Sequence, residues 1–223
     1  MTKKEILEIV DQRLGVDIYE KIFQVLCQSL HITNAQKIGS GRNGIAYKYD
    51  DKVLKITMDE SEAEMKYKLI NLKLKHLPHI YKVYKLSIES LRKYGYNGDD
   101  NIFVIIQEYA QPLSQDWGNF LEILGEVASE DEIDGWPDGA YLDTTADYIK
   151  NFNAVRRAMS SLYTFKGVMY NSFYELLREM HRLGIDSIDF IPSNFGLNHS
   201  GDLIFFDIGF GSGGLVVKNE ITF

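Results

Sequence analysis

The 223-residue chain has a single cysteine, Cys27, so no disulfide can form within it, and the composition fits a reducing compartment. No apolar run approaches the roughly 20 residues that a membrane-spanning helix needs. The first residues, Met-Thr-Lys-Lys-Glu-Ile-Leu-Glu, place charge where a signal peptide carries its apolar stretch. The expected compartment is therefore the cytoplasm, or a host cytoplasm reached without a signal peptide, and no membrane partner is expected. No basic stripe interleaved with aromatics appears, so nucleic acid is not an expected partner either. The five histidines have no zinc-site spacing, and no Gly-x-Ser-x-Gly nucleophile turn occurs. Internal repeats and low-complexity tracts are absent. From Tyr94 to Ile149 there is not one lysine or arginine.

What is present is the composition of an ordinary globular protein, 45% apolar and 25% charged, long enough for one large domain or two small lobes. The net charge of −8 is uneven. Basic residues outnumber acidic ones between Lys37 and Lys93, which suits a polyphosphate ligand. Acidic residues are densest from Glu126 to Asp147, where a solvated loop is expected.

Two helical patterns occupy residues 4–30, broken near Gly15. Ile6, Leu7, Ile9, Val10 and Leu14 line the first, expected to be a surface or partner helix. Tyr19, Ile22, Phe23, Leu26 and Leu30 line the second, with Cys27 beside them as a buried structural thiol. Strands are then predicted at Gln36–Ile38, Ile45–Tyr49 and Lys52–Thr57, followed by a helix over 59–75 with Asp59 as its cap. Further strands fall at Lys82–Ile88 and Ile102–Tyr109, joined by a loop at Tyr94–Asp100. The remainder reads as helical: 114–128, 142–164, and an amphipathic 170–183 whose Phe173, Leu176, Leu177, Met180 and Leu183 share a face and which stops at Gly184. Leu203–Phe206 reads as a short strand.

The chemistry-bearing residues lie at telling places in this order. Gly39-Ser40-Gly41-Arg42-Asn43-Gly44 sits between two strands, not between a strand and a helix, which argues against a dinucleotide fold. Glycines in a hairpin let backbone N–H groups approach phosphate oxygens. Lys55 stands among Val53, Leu54 and Ile56, so its strand has a buried face. On the following helix Glu62 shares the stripe of Met65, Leu69 and Leu72, whereas Glu64 looks solvated; Glu62, with Glu64 as the second choice, can position Lys55, or Glu62 can simply pair with Lys66 four residues on. Asp189, Asn194 and Asp207 follow the amphipathic helix. A carboxylate after an apolar strand and before Gly209, with a neutral amide oxygen at Asn194, suits Mg²⁺, which favours sparse oxygen sites. Asp189 can orient and deprotonate a hydroxyl.

Taken together, residues 35–210 resemble the protein-kinase-like superfamily. The resemblance implies an α+β, bilobal protein-kinase-like fold: an N-terminal helical extension (1–34), a small antiparallel five-stranded N-lobe with one helix (35–110), and a reduced, mainly helical C-lobe (111–223). It implies that Gly39, Ser40, Gly41 and Gly44 cover a triphosphate and that Lys55, held by Glu62, binds it. It makes Asp189 the catalytic-loop acid, and Asn194 and Asp207 the metal ligands. Ala46 and Val53 would flank the adenine, with a large and a small side chain exchanged relative to the usual pattern. The segment Ile105–Ala110 resembles the inter-lobe hinge, so that Glu108, Tyr109 and Ala110 line the nucleotide.

The departures are specific. His-Arg-Asp is replaced by Ser187-Ile188-Asp189, leaving no arginine for a phosphorylated activation loop, and Ile191 stands where a basic residue is usual. Only the 16 residues 208–223 follow Asp207, too few for an activation segment and late helices. The pattern resembles compact kinase-like proteins of bacteria, their effectors and phages. The expected activity is ATP- and Mg²⁺-dependent transfer to Ser or Thr of a protein substrate, docked on the acidic 126–147 region or the N-terminal helices. A small-molecule kinase similar to the antibiotic phosphotransferases, and a nucleotide-binding pseudokinase, are the alternatives.

Overall fold

The computed structural model describes residues 16–41, 44–93, 95–129, 144–185, 191–206 and 220–221. The expected helix of residues 6–14, most of the acidic 126–147 region, and both Asp189 and Asp207 lie outside the described residues. The chain divides into two compact units. The first takes in the described residues as far as Asn71, Ile80–Tyr109 and the strand at 220–221; the second takes in Leu72–His79 and the described residues from Ala110 to Phe206.

The first unit is built on an antiparallel sheet of β1 (Gln36–Gly41), β2 (Gly44–Tyr49), β3 (Lys52–Thr57), β4 (Ile80–Leu86) and β5 (Phe103–Glu108), in the order β1-β2-β3-β5-β4. The five expected strands are all present. A sixth, β8 (Glu220–Ile221), runs parallel to β4 at its edge and enlarges the five-stranded sheet expected from sequence. Strand alternation divides the side chains between two faces. Ile45, Tyr47, Leu54, Ile56 and Val104 point to one face, where helix α1 (Val16–Leu30) buries Tyr19, Ile22 and Leu26 against them, and Phe23 stacks on Tyr47 with ring centroids 3.5 Å apart. Cys27 is half-buried there rather than enclosed, and burial pushes its thiol pKa up, which keeps it a poor nucleophile.

The other face carries Ala46, Val53, Lys55, Ile105 and Gln107, because Ala46 pairs with Lys55, Lys55 with Ile105, and Val53 with Gln107. Helix α2 (Glu60–Lys68) follows β3. It ends well short of the expected 75: Asn71 takes up a left-handed conformation with φ of 70°, and Leu72, expected on the buried stripe, is exposed. An unexpected short helix, α3 (Ile88–Arg92), links β4 to β5 and buries Ser90 and Leu91.

Helices α4 (Gln115–Ser129), α5 (Thr145–Leu162) and α6 (Gly167–Arg182) make up most of the second unit. Thr144 and Asp147 form a reciprocal capping box at the start of α5. The amphipathic face of α6 is buried as expected, with Phe173 and Tyr170 edge-on to Phe120 of α4. Gly184, at φ of 70°, ends the helix, and Ile185 N–H closes back on the Met180 carbonyl at 3.0 Å. The segment 72–79 is tied to α6 through Glu179, whose carboxylate accepts from the Lys75 and His76 backbone N–H groups at 3.2 and 2.9 Å. His76 is buried, and its Nδ1 donates to the Leu203 carbonyl at 2.8 Å, since a carbonyl can only accept. A hairpin of β6 (Phe195–Leu197) and β7 (Leu203–Phe205) completes the unit. Among the described residues no helix is long and apolar enough to cross a membrane.

Candidate functional site

In the first unit, Lys55 and Glu62 meet. The Lys55 Nζ donates to Glu62 Oε1 at 2.6 Å, and the local sequence explains why. Asp59 caps α2, its Oδ1 accepting the backbone N–H of Glu62 at 3.0 Å and the Ser61 hydroxyl at 2.8 Å. That cap starts the helix two residues after β3, so Glu62, in the first turn, faces back toward the strand carrying Lys55.

The second reading of Glu62, pairing with Lys66, is also present. Lys66 Nζ donates to the same Oε1 at 2.6 Å and to Gln107 Oε1 of β5 at 2.7 Å. Lys66 and Glu62 have side-chain exposures of 1% and 2%, against 26% for Lys55. Burial alone would raise the Glu62 pKa, but the ammonium groups of Lys66 and Lys55 together hold it below the usual carboxylate range. Lys66 and Gln107 had no signal of their own in the sequence, since a lysine on a helix ordinarily reads as solvated and a glutamine in a strand as edge polarity.

The glycine hairpin adjoins this network. Gly39 pairs with Ala46 and Gly41 with Gly44 across β1 and β2, and Gly44 lies opposite Thr57 on β3. The glycines differ in what they do. A Cβ on Gly44 would run into the Ile56 carbonyl oxygen, so close strand packing alone demands glycine there. At Gly39 a Cβ would meet nothing within 4 Å. Ser40, opposite Ile45, is exposed. Gly39→Ala is therefore expected to leave the thermal midpoint unchanged, whereas Gly44→Ala is expected to cost about 1–3 kcal/mol of stability through strand displacement. Melting curves of the two variants check this.

Ala46 and Val53 lie on the same face as Lys55, Val53 buried and Ala46 half-buried. At the end of β5, Glu108 pairs with Lys52, and Tyr109 N–H donates to the Asp51 carbonyl at 2.9 Å, while Lys48 Nζ sits 4.3 Å from the Tyr109 ring centroid. Ile38, an apolar residue on β1 beside Gly39, is 45% exposed.

In the second unit, Ala110 and Asn194 lie near the β6–β7 hairpin. Gln111 forms a two-way backbone bridge with Leu197, at 2.8 Å in each direction. That approach requires Gly196: a Cβ there would lie 2.6 Å from the Ala110 Cβ and 2.8 Å from the Gln111 carbonyl oxygen. Asn194 ends a 3₁₀ turn, Pro192–Asn194, and its carbonyl accepts the Phe206 N–H at 3.0 Å. The hairpin thus returns the chain to Asn194 one residue before Asp207. Among the described residues no three His, Cys, Asp or Glu side chains gather as a metal site.

No protein-family model matches the chain, and no curated protein matches its sequence. Solved structures share part of its course, among them two of the aminoglycoside phosphotransferase APH(4)-Ia. One is 12% identical and superposes with a TM-score of 0.35, covering 85% of this chain and 71% of that one. The other, a thermostable mutant in ternary complex with ADP and hygromycin B, is 12% identical with a TM-score of 0.34, covering 83% and 70%.

Proposed function

We propose that this protein is an ATP- and Mg²⁺-dependent phosphotransferase acting on a hydroxyl, with Ser or Thr of a protein as the acceptor. The observation that carries the reading is the 2.6 Å contact between Lys55 and Glu62, on the strand paired to a glycine hairpin. A partly exposed ammonium fixed by a buried carboxylate is what a polyphosphate ligand needs: a cation whose position is set before the ligand arrives.

In this reading the hairpin backbone from Gly39 to Gly44 covers the phosphates and Lys55 binds their oxygens. Ala46 and Val53 contact the base, and Glu108 to Ala110 border it. Asp189 accepts the proton of the acceptor hydroxyl as its oxygen attacks the terminal phosphorus, and the bond to the bridging oxygen breaks to release ADP. Asn194 and Asp207 would hold Mg²⁺, which when bound neutralises phosphate charge. The backbone bond from Phe206 to Asn194 supports that pairing, since it brings the residue preceding Asp207 to Asn194.

Terminally labelled ATP with Mg²⁺ tests the proposal, offered to the protein alone, with a basic protein, and with an aminoglycoside. Label on a protein hydroxyl, lost in Asp207→Ala and Asp189→Ala, is the expected result. Label on the aminoglycoside alone would move the acceptor to a small molecule. Nucleotide-induced stabilisation without any transfer would indicate a binding module in place of an enzyme.

A further inference from the structure

The α5–α6 hairpin departs from the rest of the chain in charge. Residues 148–174 contain Lys150, Arg156, Arg157 and Lys166 and no aspartate or glutamate, within a protein of net charge −8. Spacings of three and four place Lys150, Asn153, Arg156, Arg157, Ser160 and Ser161 on one exposed face of α5, away from the buried Val155 and Met159. A hollow of about 450 Å³ runs along that face, lined by all of these but Lys150. Arg156 has a firm backing: its guanidinium lies 5.2 Å from the ring centroid of the buried Tyr170, whose hydroxyl bonds to Ser160 Oγ at 3.2 Å. Among the described residues neither arginine has a carboxylate partner, whereas Lys166 has Asp116 at 3.7 Å.

The end of the hairpin differs in a second way. Six large apolar side chains are exposed among the described residues, and three of them are here: Leu162 (56%), Tyr163 (48%) and Val168 (66%). Exposed apolar residues scattered singly are ordinary, but these lie at the turn joining two helices, beside unpaired arginines. We propose that this end of the hairpin docks on an anionic phospholipid surface, where Arg156 and Arg157 bind headgroup phosphates and Leu162, Tyr163 and Val168 enter the acyl boundary. The planar fork of arginine matches phosphate oxygens. From Tyr163 back to Arg157 is about 9 Å of helix, close to the roughly 5–10 Å that apolar faces sink into a bilayer. A soluble phosphate compound or an acidic peptide would answer the arginines alone; the apolar end is what favours lipid. The contact is peripheral and needs no spanning helix. The net charge of −8 opposes approach only at range, since fields in physiological salt decay over about 8 Å, and at contact the charges of this face decide.

Flotation with vesicles, in the absence of nucleotide, tests the site on the full chain independently of phosphoryl transfer. At about 0.15 M salt the protein is expected to float with vesicles of phosphatidylcholine and phosphatidylserine, and not with phosphatidylcholine alone. Arg156→Gln/Arg157→Gln is expected to lower the partition coefficient by about 20-fold or more, at about fivefold for each cation near the surface. Because Arg156 backs onto Tyr170, Lys150→Gln/Arg157→Gln serves as a second charge pair, with a similar fall expected and an unchanged urea midpoint. Leu162→Ser/Val168→Ser alters no charge, and is expected to lower partitioning by about tenfold or more. Tyr163→Trp is expected to add emission, above the wild-type background, that brominated lipid quenches. Wild-type protein that stays in the aqueous phase overturns the proposal. So does undiminished flotation by either charge pair or by Leu162→Ser/Val168→Ser. Arginine-dependent binding of inorganic phosphate or poly-glutamate without flotation would overturn it in favour of a soluble anion or an acidic polypeptide.

Discussion

Lys55→Met is expected to reduce phosphoryl transfer by about 10²–10³-fold or more while leaving the protein folded. The size follows from removing a fixed cation at developing phosphate charge, for which a single preorganised group is worth roughly 3–4 kcal/mol. Folding is spared because Glu62 keeps its contact with Lys66 when Lys55 is lost, and because Lys55 is itself partly exposed. The stability change is expected to stay below about 1 kcal/mol, as for other pairs open to water. Single-turnover kinetics with labelled ATP, run beside a urea titration, separates the two quantities. A variant that loses stability and activity together would remove Lys55 from the site.

Glu62→Ala is expected to do the reverse and unfold the protein readily. Its carboxylate accepts from Lys66, a lysine with 1% side-chain exposure, and losing it takes an anion away from a buried ammonium. Breaking such a pair from one side costs about 3–5 kcal/mol, a large part of the roughly 5–15 kcal/mol that folds an ordinary domain. Removing both buried charges in Glu62→Ala/Lys66→Met is expected to recover most of the loss. The pH dependence has a definite sign. The folded pKa of Glu62 lies below its unfolded value, because Lys66 and Lys55 overcome the effect of burial. Its contribution is therefore fully present above the unfolded pKa of about 4.3, and is lost as the pH falls through the lowered folded value. The stability gap between wild type and Glu62→Gln should be widest at neutral pH and close in acid, as measured by urea midpoints across the range.

Much of the first unit was legible because its signals are local. Apolar, largely β-branched stretches between turn residues mark β2, β3 and β5, Asp59 stands where a cap must, and Glu62 lies on the helix face opposite Glu64. The amphipathic face of α6 and its stop at Gly184 were readable for the same reason. What escaped depends on contacts between residues far apart in the chain. Lys66 is buried because Gln107, 41 positions away, offers it an acceptor. The helix stops at Lys68, and the segment 72–79 is held by Glu179 on α6, a partner no local pattern reveals. Gly196 looks like any turn glycine until Ala110 and Gln111 are placed against it. Strand β8 is two residues long and carries no period at all; only its pairing with Lys85 and Leu86 defines it. The reading of Asp189 and Asp207 still rests on the motif itself.

That last strand has a bearing on how the molecule is made. β4 needs residues 220 and 221 to cover its outer edge, yet the ribosome delivers them long after β4 itself. Until then the growing polypeptide presents an open row of amide and carbonyl groups, the kind of edge to which a neighbouring nascent chain can add itself. Synthesis stalled or truncated before residue 220 should accordingly favour clumping over clean degradation.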